Sequence, residues 1–135
     1  MGLNDMTDVE KALEFFKKDI YATETTGISL VEVGEKYAKC SLKWDRRHVN
    51  ATGHVMGGAI FTLADFTFAV ATNFNQPLTV TTVSNISFLG SPKGDTLIAE
   101  SKLIKDGKRS CFHEITVTDN LGNPVAVLTA NGTHL

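Results

Sequence analysis

Gly57-Gly58-Ala59-Ile60-Phe61-Thr62-Leu63-Ala64-Asp65-Phe66-Thr67-Phe68-Ala69-Val70-Ala71-Thr72-Asn73-Phe74-Asn75 decides the fold. After the two glycines, residues 59–75 are rich in Ala, Leu and Phe and read as one helix that Gln76-Pro77 ends. The helix is apolar on nearly every face, so it belongs inside the protein rather than on its surface. The longest apolar run, Val55 to Ala71, carries Asp65 at its middle and is too short for a comfortable membrane span.

Strand patterns flank this helix. On the amino-terminal side, Ile28 to Val33 turns at Gly34-Glu35 into Tyr37 to Trp44, where Ala38, Cys40, Leu42 and Trp44 share one face. Four alternating runs follow the helix: Thr79–Leu89, Thr96–Lys105, Arg109–Thr118 and Pro124–His134. Asp106-Gly107 between two of them is a strong hairpin signal. Ahead of everything, Thr7-Asp8-Val9-Glu10 has the form of a capping box. Val9, Leu13, Phe16 and Ile20 then follow at helical spacing, predicting a short helix over about 7–21. The order α-β-β-α-β-β-β-β predicts one α+β domain over 1–135, an antiparallel sheet of about six strands curled around the long helix. Its edge strands would be left for a symmetric partner to cover.

Composition excludes several function classes. The 135 residues hold 13 Lys+Arg and 15 Asp+Glu, a net charge of −2, with 42% hydrophobic residues. A chain of this size buries roughly 70% of its unfolded surface. The charge balance gives no general attraction for nucleic acid. Two cysteines are too few for a disulfide framework. The amino end lacks the basic stretch and apolar run of a signal peptide, and Met6 stands where a myristoylation motif built on Gly2 needs Ser or Thr. The expectation is a cytosolic protein.

Asp65 is the only Asp, Glu, Lys or Arg between Arg47 and Lys93. Burying an unpaired carboxylate costs several kcal/mol, so stability alone favours Ala or Leu there. Either its helix face is wet or held by a hydroxyl, or the acid is functional. Its neighbours three and four residues away are Phe61, Thr62, Phe68 and Ala69, which raise the pKa and make a stronger base. Gly57 and Gly58 expose backbone N–H groups at the helix start, either as a mere tight turn or as an electropositive pocket for a carbonyl.

The stretch from His48 to Asp65 resembles the signature of the hotdog-fold acyl-CoA thioesterases, specifically their PaaI-like (phenylacetate-pathway) and thioesterase-superfamily-member-2-like branch. The pattern is Asn, Gly, then His-Gly-Gly, then Leu-x-Asp, met here by Asn50, Gly53, Gly57, Gly58, Leu63 and Asp65. The resemblance implies hydrolysis of acyl-CoA without metal or redox cofactor. It makes Asp65 the general base or nucleophile, and the Gly57 N–H the oxyanion donor. Asn50 would place the thioester or the water, and Thr81 would hold the water. In such enzymes Asn50 and Gly57 come from one subunit and Asp65 and Thr81 from the other, so a homodimer, commonly paired into a tetramer, is implied. Met56 departs from the family's His. Losing such a donor costs roughly 3 kcal/mol, about a hundredfold in rate, if it acts in the transition state. His54, two residues earlier, either substitutes in part or faces the other way. For coenzyme A, Lys93 and the pair Lys108-Arg109 resemble phosphate-contacting hairpins, or are ordinary charged tips.

His48, His113 and His134 lack metal-site spacing, and no cysteine is expected near them. His113 reads as a strand residue with a satisfied ring, Cys40 and Cys111 as small core hydrophobes, and Trp44, Phe61, Phe68 and Phe88 as core. Two other functions fit the same fold. One is a non-catalytic acyl-CoA-binding protein, suggested by Met56. The other is a hydratase or dehydratase of acyl thioesters, for which His54 is the sole histidine near Asp65 in sequence.

Overall fold

The computed structural model describes residues 6–135, so the Gly2 position lies outside the described residues. The first helix, α1 (Asp8–Phe16), starts with the expected capping box: the Thr7 hydroxyl accepts from the Glu10 N–H and the Thr7 N–H donates to the Glu10 carboxylate, both at 3.2 Å. It stops at Phe16, short of the predicted end near Tyr21. Of the expected stripe only Phe16 is buried, joined by Ala12, while Leu13 and Ile20 stay exposed. The chain instead turns after Lys17 into a wide π-helical turn, Tyr21–Thr26, which delivers Ala22 and Thr26 to the interior and ends at Gly27 with φ of 88°. That second turn gave no periodic signal because it spans too few residues.

The strands are β1 (Ser29–Gly34), β2 (Tyr37–Lys43), β3 (Thr79–Phe88), β4 (Thr96–Asp106), β5 (Ser110–Asp119) and β6 (Pro124–His134). They form one antiparallel sheet in the order β1-β2-β4-β5-β6-β3. The long helix α2 (Gly57–Asn73) touches all six. Six strands at about 4.8 Å spacing span about 24 Å, wider than one helix, so the sheet must curl to meet it. The alternation expected in β2 holds: Ala38, Cys40 and Leu42 are buried.

Helix α2 begins at Gly57 itself and ends two residues before the expected Asn75. Leu63, Phe66, Phe68 and Val70 are buried, each contributing about 1.5–3 kcal/mol, which outweighs the weak helix propensity of its threonines, about 0.5 kcal/mol apiece. Those threonines satisfy themselves: the Thr67 and Thr72 hydroxyls donate to the Leu63 and Phe68 carbonyls at 2.8 Å. Asn73 then ties the helix end to β3, accepting from the Thr79 N–H at 2.8 Å and donating to the Thr79 carbonyl at 3.1 Å. At Gly132 of β6 a side chain has no room, since a Cβ there would lie 2.9 Å from the Val80 carbonyl oxygen.

The two sheet edges differ. Helix α1 packs on β1, whereas β3 is open and presents Val80, Val83 and Phe88 to solvent. Phe88, expected in the core, is 54% exposed because it sits at the end of that uncovered strand. No helix among the described residues is long and apolar enough to cross a membrane.

Candidate active site

The loop ahead of α2 is built from side-chain hydrogen bonds. Asp45 opens a short 3-10 turn, Arg46–His48, by accepting from the Arg47 N–H at 2.9 Å. His48 is buried; its Nδ1 accepts from the Asp45 N–H at 3.0 Å, so Nε2 carries the proton donated to the Thr26 carbonyl at 2.7 Å. Val49 and Val55 then bridge across a tight turn. Inside that turn the Asn50 Oδ1 accepts from the Thr52 N–H (3.0 Å), the Thr52 hydroxyl (2.8 Å) and the His54 N–H (3.1 Å). Three donors around one oxygen fix the amide orientation and leave Nδ2 without a partner among the described residues. Because the Thr52 proton goes to Asn50, the 3.1 Å contact between Thr52 and the His54 Nδ1 has the imidazole as donor.

Met56 caps α2 with its backbone alone; the residue is 56% exposed and its side chain makes no cap bond. Among the described residues the Gly57 and Gly58 N–H groups have no acceptor, which leaves the positive end of a 17-residue helix open. A Cβ on Gly57 would lie 3.0 Å from the Phe88 ring, so this glycine lets the end of β3 close on the helix start; Gly58 faces open space.

Asp65 is half-buried and lines a cavity of about 300 Å³ with Asp19, Tyr21, Thr62 and Phe66. Its carboxylate has no hydrogen-bond partner among the described residues. Burial first, and then the charge of Asp19, push its pKa above the ordinary aspartate value. Asp19 had no sequence signal as a site residue, because it lies on a different element. Between Gly57 and Asp65 the helix rises eight residues, about 12 Å, so within one chain the two do not face the same carbonyl. Thr81 is exposed on β3 beside a bulge at Thr82, where the Thr82 hydroxyl donates to the Asn131 backbone carbonyl and accepts from the Asn131 Nδ2, both at 2.9 Å. Seven residues separate Thr81 from Phe88, about 23 Å along the strand.

Lys93 stands at the Gly57 end of the sheet, while Lys108 and Arg109 occupy the hairpin at the far end of the 11-residue β4, about 33 Å away. One protomer therefore does not bring these cations together. A cavity of about 690 Å³ lies at that far end and includes Lys36, Phe74, Asp106, Lys108 and His134. It is remote from Asp65.

Two expectations need correction there. The His113 ring is buried edge-on to Phe68 with neither nitrogen hydrogen-bonded, so it is not a satisfied strand histidine; burial lowers its pKa. And a cysteine does approach a histidine: donor atoms of Asp106, Cys111 and His134 lie within 4.8 Å of one another, brought together by three adjacent strands. The Asp106 carboxylate is already engaged by Lys36 at 2.6 Å and by the His134 Nε2 at 2.8 Å, so its oxygens are taken up by these two partners, with Cys111 merely close by.

Residues 52–126 match the model of the thioesterase superfamily. A candidate esterase of Archaeoglobus fulgidus is 29% identical over 126 residues, covering 93% of this chain and 80% of that protein. Acyl-coenzyme A thioesterase PaaI of Escherichia coli is 27% identical over 119 residues, covering 87% and 84%. The solved structure of the E. coli PaaI protein superposes with a TM-score of 0.87 at 22% identity, over 95% of this chain and 94% of that one, so the two share the hotdog fold. A hypothetical thioesterase protein of Streptococcus pneumoniae, solved with coenzyme A, gives 0.81 at 20% identity over 89% and 96%.

Proposed function

Since the chain belongs to the thioesterase superfamily, we propose that it hydrolyses acyl-CoA thioesters, in a site that two copies of the chain build together. The observation that carries the reading is Asp65: an unpartnered, half-buried carboxylate with raised pKa on a helix whose own N-terminus is open. The separation of about 12 Å along α2 makes each half of the machinery useless to the other within one chain. A two-fold partner added antiparallel to the open edge of β3 resolves this. Pairing about the strand's middle sets the partner's β3 alongside in reverse, so that a second copy of Thr81 lies beside residues 86–88 and hence beside Phe88 and Gly57. The same rotation carries a second Lys108 hairpin toward the Lys93 end, which supports both basic tips as contacts for one coenzyme A.

In this arrangement Asp65 of one copy takes a proton from water as the water attacks the thioester carbonyl carbon. The Gly57 N–H and the helix dipole of the other copy stabilise the oxyanion. The Asn50 Nδ2, held outward by the three bonds on its Oδ1, orients the thioester or the water. The C–S bond then breaks and coenzyme A leaves as its thiolate. Met56 offers no proton, so the donor work rests on backbone N–H groups that no substitution at 56 removes. Coenzyme A bound to the pneumococcal protein of the same fold supports this ligand class.

The test is release of free CoA from a panel of acyl-CoAs, followed with a thiol reagent. Turnover many times per site that disappears in Asp65→Asn is expected. Equal rates for the two proteins would overturn the assignment, and saturable binding with no turnover would favour an acyl-CoA carrier instead.

A further inference from the structure

The helix face that carries Asp65 is roofed by residues Asp19–Ala22, with the 300 Å³ cavity between roof and helix. Both ends of this roof are fastened. Upstream, Phe16 is buried edge-on against Phe66, ring centroids 6.1 Å apart. Downstream, the Thr25 carbonyl accepts from the Arg47 guanidinium at 3.3 Å and the Thr26 carbonyl accepts from His48 at 2.7 Å. His48 also holds the backbone of Asp45, so the roof and the loop that carries Asn50 form one hydrogen-bonded unit. Within the roof the backbone takes the wide π turn, a form that concentrates at functional sites. The Thr23 N–H and hydroxyl both donate to the Asp19 carbonyl at 2.9 Å, which sets Asp19 at the turn's mouth.

The side chains of this segment are unlike core residues. Ile20 is 52% and Tyr21 68% exposed, so two large apolar groups stand at the cavity rim, where packing alone would have buried them. Asp19 and Asp65 share the cavity, and its lining holds no Lys, Arg or His.

We propose that residues 19–22 are the specificity wall of the acyl site: Ile20 and Tyr21 limit the length of the acyl group, Asp19 turns away acyl groups that end in a carboxylate, and uncharged acyl chains are the substrate class. This rests on the acyl-CoA hydrolysis reading above. A third carboxylate entering a partly dry cavity that already holds two meets repulsion that water screens poorly. One methylene too many against an apolar wall changes kcat/KM about 10–200-fold.

The experiment measures kcat/KM for straight-chain acyl-CoAs of rising length and for ω-carboxyacyl-CoAs matched to them, with wild type, Asp19→Asn and Tyr21→Ala. Wild type is expected to prefer the uncharged member of each pair about tenfold or more. Asp19→Asn narrows that ratio about fivefold while Asp65 keeps the remainder, and Tyr21→Ala moves the length optimum to longer chains. A charge ratio untouched by Asp19→Asn together with a length optimum untouched by Tyr21→Ala would overturn the wall while hydrolysis by Asp65 still stood. If wild type hydrolyses none of the panel, the hydrolase reading itself falls.

Discussion

Asp119 and Asp65 are both drawn away from bulk water, and the protein treats them in opposite ways. Asp119 is 1% exposed, at the junction of the β3–β4 and β5–β6 loops. It accepts from the N–H groups of Lys93 (2.8 Å), Gly94 (3.1 Å), Leu121 (3.0 Å) and Asn123 (2.8 Å), and from the Asn123 side chain at 2.9 Å. Burial alone would raise its pKa, but the hydrogen bonds from Asn123, Lys93 and Gly94 outweigh it and hold the carboxyl well below the usual range. Asp65 has burial without those bonds, plus a second carboxylate in its cavity, and its pKa goes up. The difference separates a carboxylate whose lone pairs are all occupied from one whose lone pairs have no partner among the described residues, as the proposed base requires.

The largest effect is expected at Asp65. Asp65→Asn should lower acyl-CoA turnover about 10²–10⁴-fold, the usual worth of a positioned base. Its folded pKa is raised, so the native state holds the proton more tightly than the unfolded chain, and ionisation at neutral pH opposes folding. The amide removes that opposition, so the melting temperature should hold or rise by a few degrees. The wild-type rate should fall as pH drops through the raised pKa, above the ordinary aspartate value. Calorimetry that finds Asp65→Asn clearly destabilised would place this residue with Asp119 and break the contrast.

A smaller loss is expected from the open edge. Val83 is 57% exposed near the middle of β3. Val83→Lys should be harmless to the isolated protomer, yet in a two-fold pairing it sets two ammonium groups near each other at a cost of several kcal/mol. Sedimentation should show a shift toward monomer, with turnover down about tenfold or more at low protein concentration. An unchanged oligomer with unchanged activity would mean that Asp65 finds its missing oxyanion donor by a route other than β3.

Asp119→Asn should do the converse of Asp65→Asn: a melting temperature lower by several degrees, with turnover per folded molecule retained. Its folded pKa is depressed, so its stabilisation is complete above the unfolded value of about 4 and is lost as pH falls through the folded pKa. The melting-temperature gap between wild type and Asp119→Asn should accordingly be full at neutral pH and close in acid.

The sequence displayed these two acids very unequally. Asp65 stood out because it interrupts a long uncharged run, and the six strands stood out because their alternation is local. Asp119 lay in an ordinary turn pattern, and its role depends on Lys93 and Gly94, some 25 residues away in another loop. Asp19 was invisible for the same reason: its meeting with Asp65 needs α1 to end at Phe16 and the π turn to fold back over α2. The meeting of Asp106, Cys111 and His134 is likewise a product of strand register, which spacing along the chain does not record. Periodicity reports which face of an element is apolar; it is silent on which polar groups two distant elements bring together.

The cysteines supply a third case, burial of a nucleophile that is given nothing to do. Cys40 and Cys111 are 0% and 1% exposed. Burial pushes the Cys40 thiol up to about 12 despite a lowering contact from Thr67, and burial likewise raises Cys111. Since the thiolate is the reactive form, neither should react with a disulfide reagent at neutral pH while the protein is folded, and both should react after denaturation. Thiol counting before and after adding denaturant checks this. Native-state labelling of Cys40 would mean that β2 opens on the assay's timescale and that the half-burial of Asp65 on α2, which packs on β2, is itself transient. Silence at both thiols would leave CoA as the only thiol that reagent sees, so the smallest effect predicted here is what makes the largest one cleanly measurable.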